Sequence, residues 1–291
     1  MDRPVCLPYG HFAALRGKRP VPEAFENLWS SGDLTGLGRI CIAVVGTRAA
    51  SPYGRTAAAD FAARLAGAGC CIVSGLAQGI DAAAHEGALE AGGPTIGVLG
   101  GGHRQFFPRR NRPLAERMIA AGGAVLSPYA PDEPAMPLNF LQRNSVVAAL
   151  CDAVVVIECP RRSGALNTAG WAAGRVPVFV VPGDIDRPQF AGSHHLIRDG
   201  CTLVRDPQDV LDDMRIVTVA TRKPRRRKPI EDPLQRTLWR LLAEGEQTLD
   251  LLIAHAQSPA AAVMSALSML ELRGAIQSRP GNRYARAGGR P

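Results

Sequence analysis

The chain has 291 residues, 46% of them hydrophobic and only 5% aromatic, with 31 glycines and a formal net charge of +8. That length suits one large or two unequal domains with a sizeable core. No apolar run reaches the about 18 residues a bilayer span needs, and the opening MDRPVCLPYG has no signal-peptide apolar region, so no membrane association is expected.

The seven cysteines form no CxxC pair, and Cys41, Cys70, Cys71, Cys151 and Cys201 sit in apolar, strand-like runs. They read as buried thiols of a cytoplasmic protein rather than a disulfide framework. No Cys/His cluster has zinc-ligand spacing, so no metal is expected. The charge is uneven. Residues 1–215 carry 21 Lys and Arg against 20 Asp and Glu, whereas residues 216–291 carry 13 against 6. A basic C-terminal quarter points either to a polyanionic partner or to a solubilising linker.

Taken in order, residues 1–38 are rich in Pro and Gly, and Val21 to Leu34 predicts a short helix. From Arg39 the chain alternates. Strands are predicted near 40–45, 70–74, 95–99, 124–127, 153–158, 177–181 and 201–204. Helices are predicted near 52–67, 80–91, 112–121, 141–150, 164–173 and 207–213. The strands are continuous apolar runs, the mark of a parallel sheet covered on both faces. The fold class is therefore α/β: an extended, Rossmann-like, mostly parallel sheet with helices on both faces. Ligands on such sheets bind at the carboxyl ends of the strands. The candidate loops all lie there: 46–48, 74–79, 100–107, 127–143, 160–164 and 182–192.

Within Cys70 to His85 a strand, the turn Ser74-Gly75-Leu76-Ala77-Gln78-Gly79 and an Ala-rich helix from Asp81 follow one another. Unpaired helix amides and a close glycine backbone make this a phosphate cradle, or else a β–α turn whose glycines serve only tightness. The same grammar precedes it at Gly46-Thr47-Arg48, with Ser51 and Pro52 opening a helix. Neither loop is a GxGxxG or Walker loop, so no standard dinucleotide or ATP cofactor is expected. Gly100-Gly101-Gly102 either admits a ligand closely or is a plain flexible loop. Phe140 and Arg143, followed by Asn144, suit a base and a phosphate of single-stranded nucleic acid, although Phe140 alone also reads as core. Arg161 and Arg162, ahead of the helix opened by Ser163 and Gly164, form a second anion candidate or a solvated loop.

Residues 222–228, RKPRRRK, hold six basic residues in seven and read as a disordered linker able to attract phosphate. Helices over Leu234–Glu244, Leu249–His255 and Pro259–Leu272, then a hairpin over Ile276–Tyr284, give a winged helix. The expected division is a lead-in over 1–38, the Rossmann-like domain over 39–215, the basic linker over 216–231 and the winged helix over 232–288.

VGTR (45–48), SGLAQGID (74–81) with Ala84-His85, and SGALNTA (163–169) occur in order, as do the VPG at 181–183 and the G-x-x-x-LI at 192–197. Together they resemble the DNA-processing protein A (DprA, or Smf) family from about residue 20 to about 288. The resemblance implies a single-stranded DNA-binding protein that protects the strand and helps load the RecA recombinase in natural transformation (competence). It also implies a homodimer, and a lead-in that leans on the sheet. The implied nucleic-acid-binding residues are Gly46, Thr47, Arg48, Ser74, Gly75, Leu76, Ala77, Gly79, Phe140, Arg143, Asn144, Ser163, Gly164 and Thr168. The family's Tyr-Pro is replaced by Phe107-Pro108, and its Phe-Pro-x-Arg-Asn-Arg motif by Phe140 to Ser145, with Leu141 for Pro and Ser145 for the second Arg. Pro128 stands for a Glu, and Asn167 for an apolar residue.

Catalysis is not expected. Asp81 and His85 stand at i, i+4 and, with Ser74, suggest a triad, but they read better as a structural Asp–His pair. Related Rossmann-like nucleotide phosphoribohydrolases need a carboxylate in a PGGxGTxxE loop, and residues 164–174 contain none. The alternatives are a nucleotide-binding sensor or nucleotide-processing enzyme on the same sheet, and a transcription regulator acting through the winged helix.

Overall fold

The computed structural model describes residues 3–17, 25–216, 230, 232–243, 245–272, 275–279 and 281–286. The basic run 222–228 lies outside them. The chain divides into two compact units, Met1–Thr221 and Arg222–Pro291.

The first unit runs β1 (Val5–Pro8), α1 (Tyr9–Arg16), β2 (Asn27–Gly32), β3 (Cys41–Val45), α2 (Pro52–Gly67), β4 (Cys71–Ser74), α3 (Ile80–Glu90), β5 (Thr95–Val98), α4 (Arg112–Ala120), β6 (Ala124–Ser127), α5 (Pro137–Ala149), β7 (Ala153–Val156), α6 (Gly164–Ala172), β8 (Val178–Val180), α7 (Ala191–Arg198), β9 (Thr202–Leu203) and α8 (Pro207–Asp213). Among the described residues these strands form one sheet of order β1-β2-β6-β5-β4-β3-β7-β8-β9. Strands β3 to β9 are all parallel, as the apolar runs required. Side chains alternate between two cores. Cys41, Ala43 and Val45 face the side of α5 and α6, while Ile42 and Val44 face α2 and α3. From β3 the chain winds outward through β4, β5 and β6, then returns to place β7 on the other side of β3. Such a reversal opens a crevice at the strands' carboxyl ends, where helices depart to opposite faces.

Two local expectations are corrected, and one helix is added. Residues 27–32 are a strand, not part of a helix over 21–34. Leu28 and Ser30 are buried between more exposed neighbours, a period of two. The strand pairs antiparallel with β6, Trp29 opposite Ser127, and carries β1 at the sheet edge. Helix α5 starts at Pro137 rather than 141, because a proline fits the first helical turn. Phe140 thereby joins Arg143, already within the predicted helix, as a helical residue. Residues 191–198, for which no element is predicted, form α7.

The second unit holds α9 (Pro233–Leu241), β10 (Gln247–Thr248), α10 (Leu249–Ala256), α11 (Ala260–Leu272), β11 (Ile276–Arg279) and β12 (Arg283–Arg286). Asp232 caps α9 by accepting from the Gln235 amide at 2.7 Å, and Thr248 caps α10 by accepting from the Leu251 amide at 3.4 Å. Leu238, Leu252, Val263, Leu267, Leu270 and Ile276 form its core. Three helices and the sheet β10-β12-β11 make the winged helix. Among the described residues no single helix is long and apolar enough to cross a membrane.

Candidate nucleic-acid interface

A cleft of about 650 Å³ opens at the carboxyl ends of β3, β4 and β7, at the point where the winding reverses. Three loops form its floor, and they are bolted to one another. The Thr47 amide donates to the Glu158 carbonyl at 2.8 Å, and the Ile80 amide to the Thr47 carbonyl at 3.2 Å. Gly79 makes this approach possible. Its φ is +82°, and a Cβ there would stand 2.4 Å from the Thr47 carbonyl oxygen. Behind the floor, Glu158 is fully buried and accepts from the Ser51 amide at 3.0 Å and the Ser51 hydroxyl at 3.1 Å, fixing the start of α2.

The 74–79 loop differs from the expected phosphate cradle. The Gly75 and Ala77 amides already donate to Asp81 Oδ2, at 3.0 and 3.4 Å. A carboxylate of the chain itself takes the place read as a phosphate's. Burial raises the Asp81 carboxyl above its ordinary value, against the opposing pull of Arg143 and these amides. Gly75 and Ala77 line the cleft, but Ser74, Leu76 and Gly79 do not. The Ser74 hydroxyl donates to the Val44 carbonyl at 2.7 Å. Leu76, held at φ 54°, turns its side chain into the apolar cluster under α4.

No Ser74–His85–Asp81 triad is assembled, nor does His85 pair with Asp81. The His85 Nδ1 lies 2.7 Å from the Thr95 hydroxyl, which donates to the Ile72 carbonyl at 2.9 Å. Burial, and next the charge of Arg143, push the imidazole down to about 3, so it is neutral.

Arg143 is 3% exposed. Its Nη1 donates to the carbonyls of Gly75 and Val98, and its Nε to Asn144 Oδ1 at 3.2 Å. Burial and then the nearby charge of Arg48 lower it to about 10, partly offset by Asp81, and it stays protonated at neutral pH. Gly75 leaves room for it, since a Cβ there would meet the guanidinium at 2.5 Å. Arg143 is thus a fixed cation in the floor rather than a free arm.

Arg48 is the free arm. It is exposed, and among the described residues it makes no hydrogen bond or ion pair. Its guanidinium carbon lies 4.8 Å from the Phe140 ring centroid, a cation–π distance. Phe140 also packs on Gly100, whose added Cβ would stand 2.5 Å from the ring. The ring is half-buried and lines the cleft with the exposed Arg48 over it, so a base would share it with that guanidinium. Phe107, 51% exposed, has its ring centroid 5.9 Å from that of Phe140.

The third wall is α6. Ser163 caps it through the Ala165 amide at 3.2 Å, and exposed Arg162 lines the cleft beside Gly46 and Gly164. Asn144 Nδ2 donates to the Gly164 carbonyl at 3.1 Å and to Asn167 Oδ1 at 3.2 Å. Asn167, the polar residue at an ordinarily apolar place, thus clamps α5 to α6. Buried Thr168 donates to the Gly164 carbonyl at 3.4 Å. The Ser145 hydroxyl donates back to the Gln142 carbonyl at 2.6 Å.

Asp81 apart, no carboxylate lines the cleft, against Arg48, Arg143 and Arg162. Among the described residues no His, Cys, Asp and Glu cluster could hold a metal. Sequence reading passed over Asn111, whose amide donates to the Leu76 and Ala77 carbonyls at 2.9 and 3.0 Å and pins the 74–79 loop. It also passed over Glu158 and, as a cleft residue, Phe107.

The family model described as DNA recombination-mediator protein A matches residues 16–215, and that of the DprA winged helix domain matches 222–282. The chain belongs to the DNA recombination-mediator protein A family. Protein Smf of Escherichia coli is 37% identical over 262 residues, covering 87% of this chain and 70% of that protein. The crystal structure of DNA processing protein A from Streptococcus pneumoniae matches with a TM-score of 0.61 and 36% identity, over 71% of this chain and 78% of that one. The Helicobacter pylori protein, whose structure is described for its single-stranded DNA binding mode, matches with a TM-score of 0.62 and 28% identity, over 73% and 96%.

Proposed function

We propose that this protein binds single-stranded DNA in the β3–β7 cleft and acts as a recombination mediator in DNA processing. The observation that carries the reading is Arg48, an unpaired guanidinium stacked on Phe140 at the mouth of a cleft whose floor holds a second, buried cation. Phosphate is taken by Arg48 and Arg162, with Arg143 supplying charge from below. The groove is open and the nearby aromatic Phe107 is exposed, which suits a passing strand and stacked bases. The Helicobacter pylori relative, described as binding single-stranded DNA, supports the same partner here. We read the site as binding rather than catalytic. Ser74, Asp81 and His85 are each held by other partners, and the one carboxylate lining the cleft is spent on loop amides. The basic run 222–228 adds nonspecific phosphate attraction, and the winged helix is an accessory domain. Loading of RecA, a homodimer and a role in natural transformation rest on the family resemblance, and a cytoplasmic place rests on the free, mostly buried thiols.

The test is fluorescence anisotropy with labelled oligothymidylate and its duplex at two salt concentrations, for the wild type and Arg48→Ala. Salt-sensitive preference for the single strand, weakened by the substitution, is expected. No single-strand binding, or no effect of Arg48→Ala, would refute the site. A thermal shift with mononucleotides and none with oligonucleotides would favour the nucleotide-binding reading.

A further inference from the structure

We propose that a strand held in the β3–β7 cleft continues across Phe107 into a second subsite, where Arg109 takes a phosphate. This rests on the single-strand reading above and extends its footprint. A second cleft of about 400 Å³ lies beside the first, and Phe107 and Ala135 line both. Phe107 is the ridge between them, and its half-exposed ring is more open than that of Phe140, over which Arg48 lies. A base resting there would hand its phosphates to either side.

The second cleft is basic. Arg104, Arg109 and Arg112 line it, and residues 104–112 hold four arginines and no acidic residue. Two of those charges are answered. Arg104 Nε donates to Asp132 Oδ1 at 2.6 Å, and Arg112 Nε to Glu116 Oε1 at 3.1 Å. Arg109 is exposed and, among the described residues, has no hydrogen bond or ion pair for its side chain. It repeats the circumstance of Arg48: an unanswered cation beside an aromatic ring at a cleft. The two clefts are also rigidly joined. Asn111, two residues on, donates to the Leu76 and Ala77 carbonyls of the first cleft's loop, and the Arg104 amide donates to the Pro131 carbonyl at 2.9 Å. Geometry and charge therefore set the second cleft as a continuation of the first.

The test uses the full chain with oligothymidylates spanning about 4 to about 16 nucleotides, the range of single-strand site sizes. The variants are Arg48→Ala, Phe107→Ala and Arg109→Ala. Both new positions are surface side chains, and thermal melting checks that the variants fold. The wild type should gain affinity with length. Arg109→Ala should leave the shortest oligonucleotide unaffected and lower the log–log salt slope of the longest by about 0.7, one phosphate contact. Phe107→Ala should cost about tenfold on the longer strands, a stacking contribution of ~1.4 kcal/mol. An Arg109→Ala variant that matches the wild type at every length, or that loses equally at every length, would overturn the second subsite while the Arg48→Ala defect keeps the first. If the wild type binds no single strand, or Arg48→Ala is silent, the underlying reading falls and the second subsite with it.

Discussion

Arg48 and Arg143 both line the cleft, yet truncating them should have opposite consequences. In Arg143→Ala, the carbonyls of Gly75 and Val98 lose the guanidinium that satisfies them, deep in the floor. Hydrogen bonds to a charged partner contribute about 1.5–3 kcal/mol each, so two of them amount to roughly 3–6 kcal/mol. That overlaps the roughly 3–5 kcal/mol for breaking a buried charged contact by removing one partner. In a unit of this size each kcal/mol moves the melting temperature by about 2–4 °C, so a fall on the order of 10 °C is expected. Arg143→Lys keeps the charge, but a single ammonium does not reproduce the fork and should recover only part of the loss. Arg48→Ala removes an exposed side chain without hydrogen bonds and should change stability by no more than about 0.5 kcal/mol. Urea unfolding paired with single-strand anisotropy separates the two. Arg143→Ala should be destabilised, while Arg48→Ala should be stable and weak-binding. An Arg143→Ala protein that unfolds like the wild type would refute the assignment of Arg143 to the floor.

Stability should fall on mild acidification through His85. Its folded value of about 3 lies below the ordinary 6.5, so the unfolded chain binds the proton first and stability is lost as pH falls from 6.5 toward 3. Between pH 7 and 5 that is roughly 2 kcal/mol, and the difference between wild type and His85→Gln across that window should shrink toward low pH; a constant difference would refute it. Gly79→Ala forces a side chain onto φ +82° and against the Thr47 carbonyl, so it should destabilise by more than ~1 kcal/mol and weaken binding by parting the first two loops. Wild-type melting and affinity in that variant would contradict the close approach.

The sheet was legible because its strands are buried on both faces, and an unbroken run such as Ile42 to Val45 has no other reading at that length. With parallel strands in hand, the carboxyl-end loops follow from topology, and 11 of the 14 expected site residues do line one cleft. The antiparallel edge was not legible. Strand β2 is short, and its alternation is carried by Leu28 and Ser30, which no hydrophobicity pattern separates from a helix start.

What each loop residue does depends on which partner reaches it first, and that is a property of the closed fold. Asp81 reads from sequence as a helix-opening residue. Only once the turn curls, with Leu76 at φ 54°, does its carboxylate meet the Gly75 and Ala77 amides. Starting α5 at Pro137 rather than four residues later adds Phe140 to the helix that carries Arg143, and from that helix Arg143 reaches the carbonyl ends of β4 and β5. The departure at Asn167 is explained by its bond to Asn144, a polar clamp where an apolar contact is usual. The departure at Ser145 has a different consequence. Its hydroxyl is spent on its own helix, and it adds no charge to α5. The exposed guanidinium groups at the two clefts come instead from outside α5: Arg48 after β3, Arg162 before α6 and Arg109 in the 104–112 segment. If the proposed cleft binds a single strand, its grip should come from the rim more than from α5 and should depend on these arginines in proportion to the length of strand that reaches them.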